Sequence, residues 1–452
     1  MTGPQALARP SAGHQPWTIG AAAAVGILFF VFLINSYCNE IFALATPAIA
    51  RDWAVAPKVF AGSMAAGWLG SGIGSLIGGV MGDKIGRYKT IILVSLVAAL
   101  ATIASAVASG PAQMLATRAI AGVGLGAAVP PALALIAECV PDSRRGFVIS
   151  LAMICGPAGI AAVAMVGGLV MPSFGWKVFL ISGGLACLAI TVAFAVIGVE
   201  SPAYLMRLSN SSKALARSLR RLGAAAAPET IPVAGTAPQP SSGGVSPWLI
   251  LSPAFGGTTV RICLCFIAIF VSVSALLSWA PTTLSAASFS AAETGNAISA
   301  WSLGGVAGTL LSGWCMSRWG ARVASQVFAA ASAIAVGLLV VFVPDPHQDR
   351  LLLLIPMAVA GLALSALVTS LYGFVAEYYP APLRSTGVGL AAMIGRSSAV
   401  AGSYGGIYLF EASGMRGFFA GIALLALLPL VLLLSRRRAA EVPAAMAEVG
   451  EG

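Results

Sequence analysis

Twelve stretches of mainly apolar residues, each long enough to cross a lipid bilayer as a helix, divide this chain almost from end to end. A crossing helix needs about 20 such residues. They run at 18–48, 59–82, 90–109, 113–138, 147–171, 176–198, 260–285, 293–316, 322–343, 351–376, 386–410 and 416–435. In hydrocarbon every backbone N–H and C=O must be satisfied within the chain, so these stretches are expected as helices. Composition agrees, because only 9% of the residues are charged against about 25% in a soluble domain. The expected fold class is an all-α membrane protein of twelve transmembrane helices.

The net charge of +10 does not point to nucleic acid. The basic residues lie in short clusters between apolar runs, with no stripe and no interleaved stacking aromatics. They read instead as topology, since cytoplasmic loops are enriched in Lys and Arg. With the N-terminus inside, 18 of the 25 Lys and Arg fall in cytoplasmic loops and tails. Five fall outside: Arg51, Lys58, Lys177, Arg350 and Arg416. Both termini are therefore expected in the cytoplasm. The excess of 20 Arg over 5 Lys suggests a bacterial source and hence the inner membrane. The polar N-terminal tail has no signal-peptide pattern, so the first helix is expected to be a retained anchor. Seven Cys lie in or beside apolar runs without a paired CxxC, and His14 and His347 are the two histidines. A disulfide framework or a metal site is not expected, nor is any cofactor.

A polar stretch at 207–247 separates six spans from six. It opens with a basic segment suited to an anionic lipid surface and continues with linker composition. The expected division is a tail at 1–17, a six-helix bundle at 18–200, a central loop at 201–258, a second bundle at 259–435 and a tail at 436–452. An internal repeat supports it. Ala137-Glu138-Cys139-Val140-Pro141 recurs as Ala376-Glu377-Tyr378-Tyr379-Pro380, and the loop Gly79 to Gly86 recurs, weakened, as Gly313 to Gly320. The two offsets, 239 and 234 residues, nearly coincide. Halves of this kind pack around a central site and rock against each other.

The loop itself reads Gly79-Val80-Met81-Gly82-Asp83-Lys84-Ile85-Gly86-Arg87. It resembles the signature loop of the major facilitator superfamily, which implies two pseudo-symmetric six-helix bundles. Its glycines permit a tight turn and close helix contact. Asp83 could face a helix N-terminus, where the dipole favours negative charge, and Arg87 could bridge Asp83 to Glu138. The resemblance implies that these residues latch one conformational state. A latch of Gly79, Asp83, Gly86, Arg87 and Glu138 is expected, with Arg318 and Glu377 as the second, weaker copy because Ser317 replaces the acid.

Four further segments narrow the resemblance: Arg118 with Gly122, Gly124, Gly126 and Pro130; Glu200-Ser201-Pro202; Ser278-Trp279-Ala280-Pro281; and Gly387-Val388-Gly389 with Gly395-Arg396. Together they are similar to the aromatic acid:proton symporter family, whose members import benzoate, hydroxybenzoates and related carboxylates. The resemblance implies a small organic acid and protons as partners, with the proton gradient as energy source, and a monomer is expected.

Glu40, Arg118 and Arg396 lie inside predicted spans, away from their ends. Such charges cost about 2.5–3.5 kcal/mol each on insertion scales and usually face a cavity. Arg396, near mid-bilayer, offers a planar fork for a carboxylate and matches the Arg that the family carries there. A structural Arg held by backbone carbonyls is the alternative. Glu40 and Arg118 lie at similar depth and could pair, with Glu40 as proton carrier or with the pair simply fixing helix packing. The family's first span carries two Asp in an Asp-Gly-x-Asp pattern, whereas this chain reads Tyr37-Cys38-Asn39-Glu40. Tyr37, Tyr372 and Trp279 are the aromatic candidates for the substrate site. The chain is expected to be a secondary transporter importing an aromatic carboxylate. An exporter of the same fold, favoured by Gly156-Pro157 in span five, is one rival; a non-transporting receptor is another. No nucleophile, metal set or acid pair suggests an enzyme.

Overall fold

The computed structural model describes residues 18–140, 142–207, 212–222, 250, 252, 255–341, 350–379 and 381–434. Both expected tails and most of the central loop lie outside these residues. Among the described residues there is no strand. Span one is Ile19–Asp52, span two Ala61–Ile85, span three Arg87–Ala106 and span four Pro111–Cys139. Spans five and six share the segment Asp142–Ile197, broken at Gly175 (φ 76°). Spans seven to ten are Gly256–Ala286, Ala291–Trp319, Ala321–Val341 and Leu354–Tyr378. Spans eleven and twelve share Ala381–Leu434, broken at Gly414 (φ 66°).

The sequence leads one to expect short loops at 171–176 and 410–416. Each shrinks instead to one glycine, because only a residue without Cβ adopts such a φ at no steric cost. Among the described residues the glycines of positive φ are Gly86, Gly175, Gly320 and Gly414. They form two pairs, 234 and 239 residues apart, the same offsets as the loop and Glu repeats. Among the described residues nine helical stretches could cross a membrane by length and composition, two of them, at 47 and 48 residues, long enough to do so twice. Ala291–Trp319 has the length, 29 residues, but a more polar start around Glu293, Thr294 and Asn296. With it the helices make twelve spans.

Lipid tails are as apolar as leucine, so helices in a bilayer associate through close packing of small residues. Gly70, Gly74 and Gly78 of span two lie against the backbone of Ala119, Val123 and Ala127 in span four. Gly122 and Gly126 return the contact to Gly67 and Ser71. The second half repeats it: Gly304 and Gly308 of span eight meet Ala358 and Leu362 of span ten, and Gly361 meets Trp301. These contacts account for Gly67, Gly70, Gly74 and Gly78 in the glycine-rich span two.

The two halves meet along three pairs of spans: one with seven, two with eleven, and five with eight. Call the face carrying the Gly79–Arg87 loop the loop face and the opposite one the far face. At the far face Lys58 Nζ lies 3.2 Å from Glu411 Oε2, joining the turn before span two to the end of span eleven. Deeper in, the Ser299 hydroxyl donates to the Ala161 carbonyl at 3.3 Å, linking spans eight and five. At mid-span Arg396 Nη1 donates to the Ser75 hydroxyl at 2.8 Å.

Candidate functional site

Span eleven carries Arg396 fifteen residues from its start at Ala381, and span two carries Ser75 ten residues before its end at Ile85. At 1.5 Å per residue both side chains sit about 15–22 Å inside the loop face. The Arg396 guanidinium is half-buried. Its single hydrogen bond among the described residues goes to Ser75, and no carboxylate among them pairs with it. Its charge acts on the hydroxyl of Tyr372 in span ten. The Tyr372 ring stands edge-on to Phe266 of span seven, with centroids 4.9 Å apart at 78°. Phe270, one turn along, stacks on Phe266 at 6.1 Å and lies against Gly395. A free planar cation beside three aromatic rings is the chemistry that an aromatic carboxylate needs, since the fork binds the carboxylate bidentately and the rings pack edge or face against an aromatic ring.

Apart from Arg396, a cavity of about 260 Å³ including its mouth opens between spans one, two, four and seven. Asn39, Glu40, Met64, Trp68, Arg118 and Ser278 are among the residues lining it. Glu40 and Arg118 both face it and act on each other electrostatically, yet they form no ion pair. Arg118 donates instead to the Cys38 and Asn39 carbonyls, at 3.3 and 3.0 Å, and lies over the Phe42 ring at 5.3 Å. Its Nε has no partner. Glu40 accepts from the Asn39 amide at 2.9 Å. Equal depth therefore brought the two charges to one cavity, but the spare lone pairs of the span-one carbonyls took the guanidinium.

Tyr37 and Trp279 do not line this cavity. Tyr37 is buried in the first half, with its ring against Gly183 and its hydroxyl on Ser182. Trp279 is fully buried and donates its indole N–H to the Ser403 carbonyl at 2.7 Å. The structure gives both to packing.

The loop brings Asp83, Arg87 and Glu138 together. Arg87 Nη2 lies 3.4 Å from Asp83 Oδ1 and 3.1 Å from Glu138 Oε1. Gly86 (φ 99°) turns the chain into span three, and a side chain there would strike the Glu200 carboxylate. Glu200 accepts from the Tyr88 N–H at 3.1 Å, capping span three. In the second half Ala321 stands where Arg87 does in the first, 234 residues on. Lacking a guanidinium to bind, Glu377 reaches the Ala321 N–H directly, at 3.2 and 3.3 Å. Arg318 is exposed and makes no ion pair among the described residues. Gly79 lies one turn above Asp83 and contacts nothing beyond its own helix at the Cβ position.

A family model described as Major Facilitator Superfamily matches residues 28–285 and 262–449. The chain belongs to the major facilitator superfamily. Within it, the chain is 28% identical over 429 residues to a gallate transporter of Pseudomonas putida, covering 92% of this chain and 93% of that one. It is 26% identical over 407 residues to a 4-hydroxybenzoate transporter of Pseudomonas aeruginosa, covering 89% and 88%. It is 28% identical over 420 residues to a 3-(3-hydroxy-phenyl)propionate transporter of Escherichia coli, covering 91% and 94%. These relatives are transporters of aromatic acids, and the chain is a multi-pass membrane transporter, not an enzyme. The xylose transporter XylE of E. coli, in a partially occluded inward-open conformation, shares the fold with a TM-score of 0.69 at 14% identity, covering 92% of this chain and 98% of that one.

Sequence reasoning missed Ser75, Phe266 and Phe270. A serine among glycines and two Phe in an apolar span carry no signal of their own. Their meaning comes from the crossing of spans two and seven with span eleven. Lys58 and Glu411 were visible as loop charges, but their pairing needs the same crossing.

Proposed function

We propose that this superfamily member imports an aromatic carboxylate by proton symport, alternating its access between the two faces, with the loop face in the cytoplasm. The unpaired guanidinium of Arg396 among Tyr372, Phe266 and Phe270 carries this reading. Arg396 takes the carboxylate and the rings take the arene. Glu40 carries the proton. It is the carboxylate that opens onto the cavity beside spans one and seven, and Arg118 supplies the positive field across from it. The ties of Lys58 to Glu411 and of Ser299 to Ala161 on the far-face side, with Arg396 to Ser75 at mid-span, support a carrier held closed at the far face. The Asp83–Arg87–Glu138 cluster, wholly within the first half here, is free to engage the second half once the loop face closes. The relatives' transport of gallate, 4-hydroxybenzoate and hydroxyphenylpropionate supports the choice of substrate class.

The test is uptake of radiolabelled 4-hydroxybenzoate and gallate by proteoliposomes under an imposed pH gradient, inside alkaline. Accumulation that an uncoupler abolishes is expected. Arg396→Ala should weaken apparent affinity about 100-fold, because truncating one partner of a buried charge pair costs about 2–5 kcal/mol. Glu40→Gln should retain exchange of labelled for unlabelled acid while losing gradient-driven accumulation. Normal affinity in Arg396→Ala would remove the anchor. Extrusion of preloaded acid with proton entry, and no uptake, would make the protein an exporter.

A further inference from the structure

The partner that holds Arg396 comes from the other half of the molecule. The Ser75 hydroxyl lies 2.9 Å from the Ser71 carbonyl of its own helix and 3.2 Å from the Gly126 carbonyl of span four, and it donates its single hydrogen to these. Toward Arg396 Nη1, at 2.8 Å, its oxygen can therefore only accept. The result is a relay of fixed polarity, from guanidinium to hydroxyl to carbonyl. It ties the fork to spans two and four across the interface between the halves. A neutral acceptor orients a cation without neutralising it, and one acceptor on Nη1 leaves the Nε–Nη2 edge open for a bidentate carboxylate.

We infer that Ser75 is the positioning residue of the substrate anchor, holding the Arg396 fork in one orientation while leaving its charge free for the incoming carboxylate. This rests on the reading of Arg396 as the anchor. A long cationic side chain left to rotate would lose part of its binding energy to ordering, and a fixed one does not. The side chain at 75 must then be small, neutral and hydroxylated. An acid there would fill the anchor from within.

Equilibrium binding of 4-hydroxybenzoate to the purified full chain, by scintillation proximity or calorimetry, tests this with five variants. Ser75→Ala is expected to weaken binding about tenfold, the factor a lost hydrogen bond to a charged group gives, and Ser75→Thr to bind like the parent. Ser75→Asp, whose carboxylate reaches the same guanidinium, should lose binding altogether. The deciding measurement is the pair of Ser75→Ala and Arg396→Ala combined. Because Ser75 acts through Arg396, the double variant should bind no more weakly than Arg396→Ala alone. A further tenfold loss in the double variant, or undiminished binding by Ser75→Asp, would overturn the role of Ser75 while leaving the anchor intact. Undiminished binding by Arg396→Ala would overturn the anchor itself, and Ser75 with it.

Discussion

Replacing Arg87 by Ala removes both arms of the loop cluster at once, and the geometry says that the arms are unequal. Asp83 has a 69% exposed side chain and stands one helical turn before Arg87. An exposed i,i+4 pair contributes about 0.2–0.5 kcal/mol. The Glu138 arm is different, since Arg87 is 8% exposed and Glu138 22%. Arg87 Nη1 and Glu138 Oε2 are buried without other partners, so removal of either residue strands the other. Breaking a fully buried pair costs about 3–5 kcal/mol and an exposed one up to about 1. This half-buried pair falls between, at about 2 kcal/mol. In a unit of 150–250 residues, each kcal/mol moves the midpoint by about 2–4 °C. Thermal unfolding in detergent, followed by tryptophan fluorescence, should then show Arg87→Ala and Glu138→Ala each lowered by about 4–8 °C, and Asp83→Asn by under about 2 °C. The Arg87→Ala/Glu138→Ala double variant should be no worse than either single, because it leaves no stranded charge. Equal losses for Asp83→Asn and Glu138→Ala, or a double variant at the sum of the singles, would refute the assignment of the cluster's strength to Glu138.

Other expectations follow from the far face and from packing. Lys58→Cys with Glu411→Cys, once oxidised, should hold the far face shut and stop transport until a reductant is added. If transport persisted with the disulfide formed, the far face would not need to open there. Gly175→Ala and Gly414→Ala meet open space, so their cost is the backbone conformation alone, with ψ near 180° at positive φ, about 1–3 kcal/mol. Gly74→Ala instead meets the backbone of Val123 and should prevent stable packing of span two on span four. Equal yields of all three glycine variants would contradict that distinction. Trp279→Phe should lower the unfolding midpoint through its lost bond to Ser403 yet leave 4-hydroxybenzoate affinity unchanged. A fall in affinity alone would return Trp279 to the substrate site.

The twelve helices were legible because bilayer thickness sets a minimum length that composition alone can reveal. Their turns were not. Gly175 and Gly414 are two among 52 glycines, most of them inside helices, and sequence does not mark which one changes the sign of φ. The Asp83–Arg87–Glu138 contacts were legible for a local reason, since i,i+4 spacing puts the first two on one face and the repeat draws attention to the third. Depth along a helix was readable for Glu40, Arg118 and Arg396, whereas rotation about the helix was not. Spans apolar on all sides give no periodicity from which a facing direction could be read. Hence Glu40 and Arg118 share a cavity without pairing, and Tyr37 and Trp279 are buried in the packing of their helices. The free edge of Arg396 and its tie to Ser75 depend on helices 321 residues apart in sequence, a relation that no single span records.

The glycine turns at 175 and 414 bear on how the chain inserts into the bilayer. A pair of spans joined through one residue has only the side chains flanking the turn to translocate, such as Lys177 beside Gly175 and Glu411 and Arg416 beside Gly414. Each of these two helical hairpins can thus be handed to the lipid as one unit rather than as successive crossings. Both lie in the last third of their bundle, where the preceding four spans already offer a surface to pack on. A loop inserted at either position would make the two helices of that hairpin insert one after the other, and its cost would be read in the yield of inserted protein before any effect on transport.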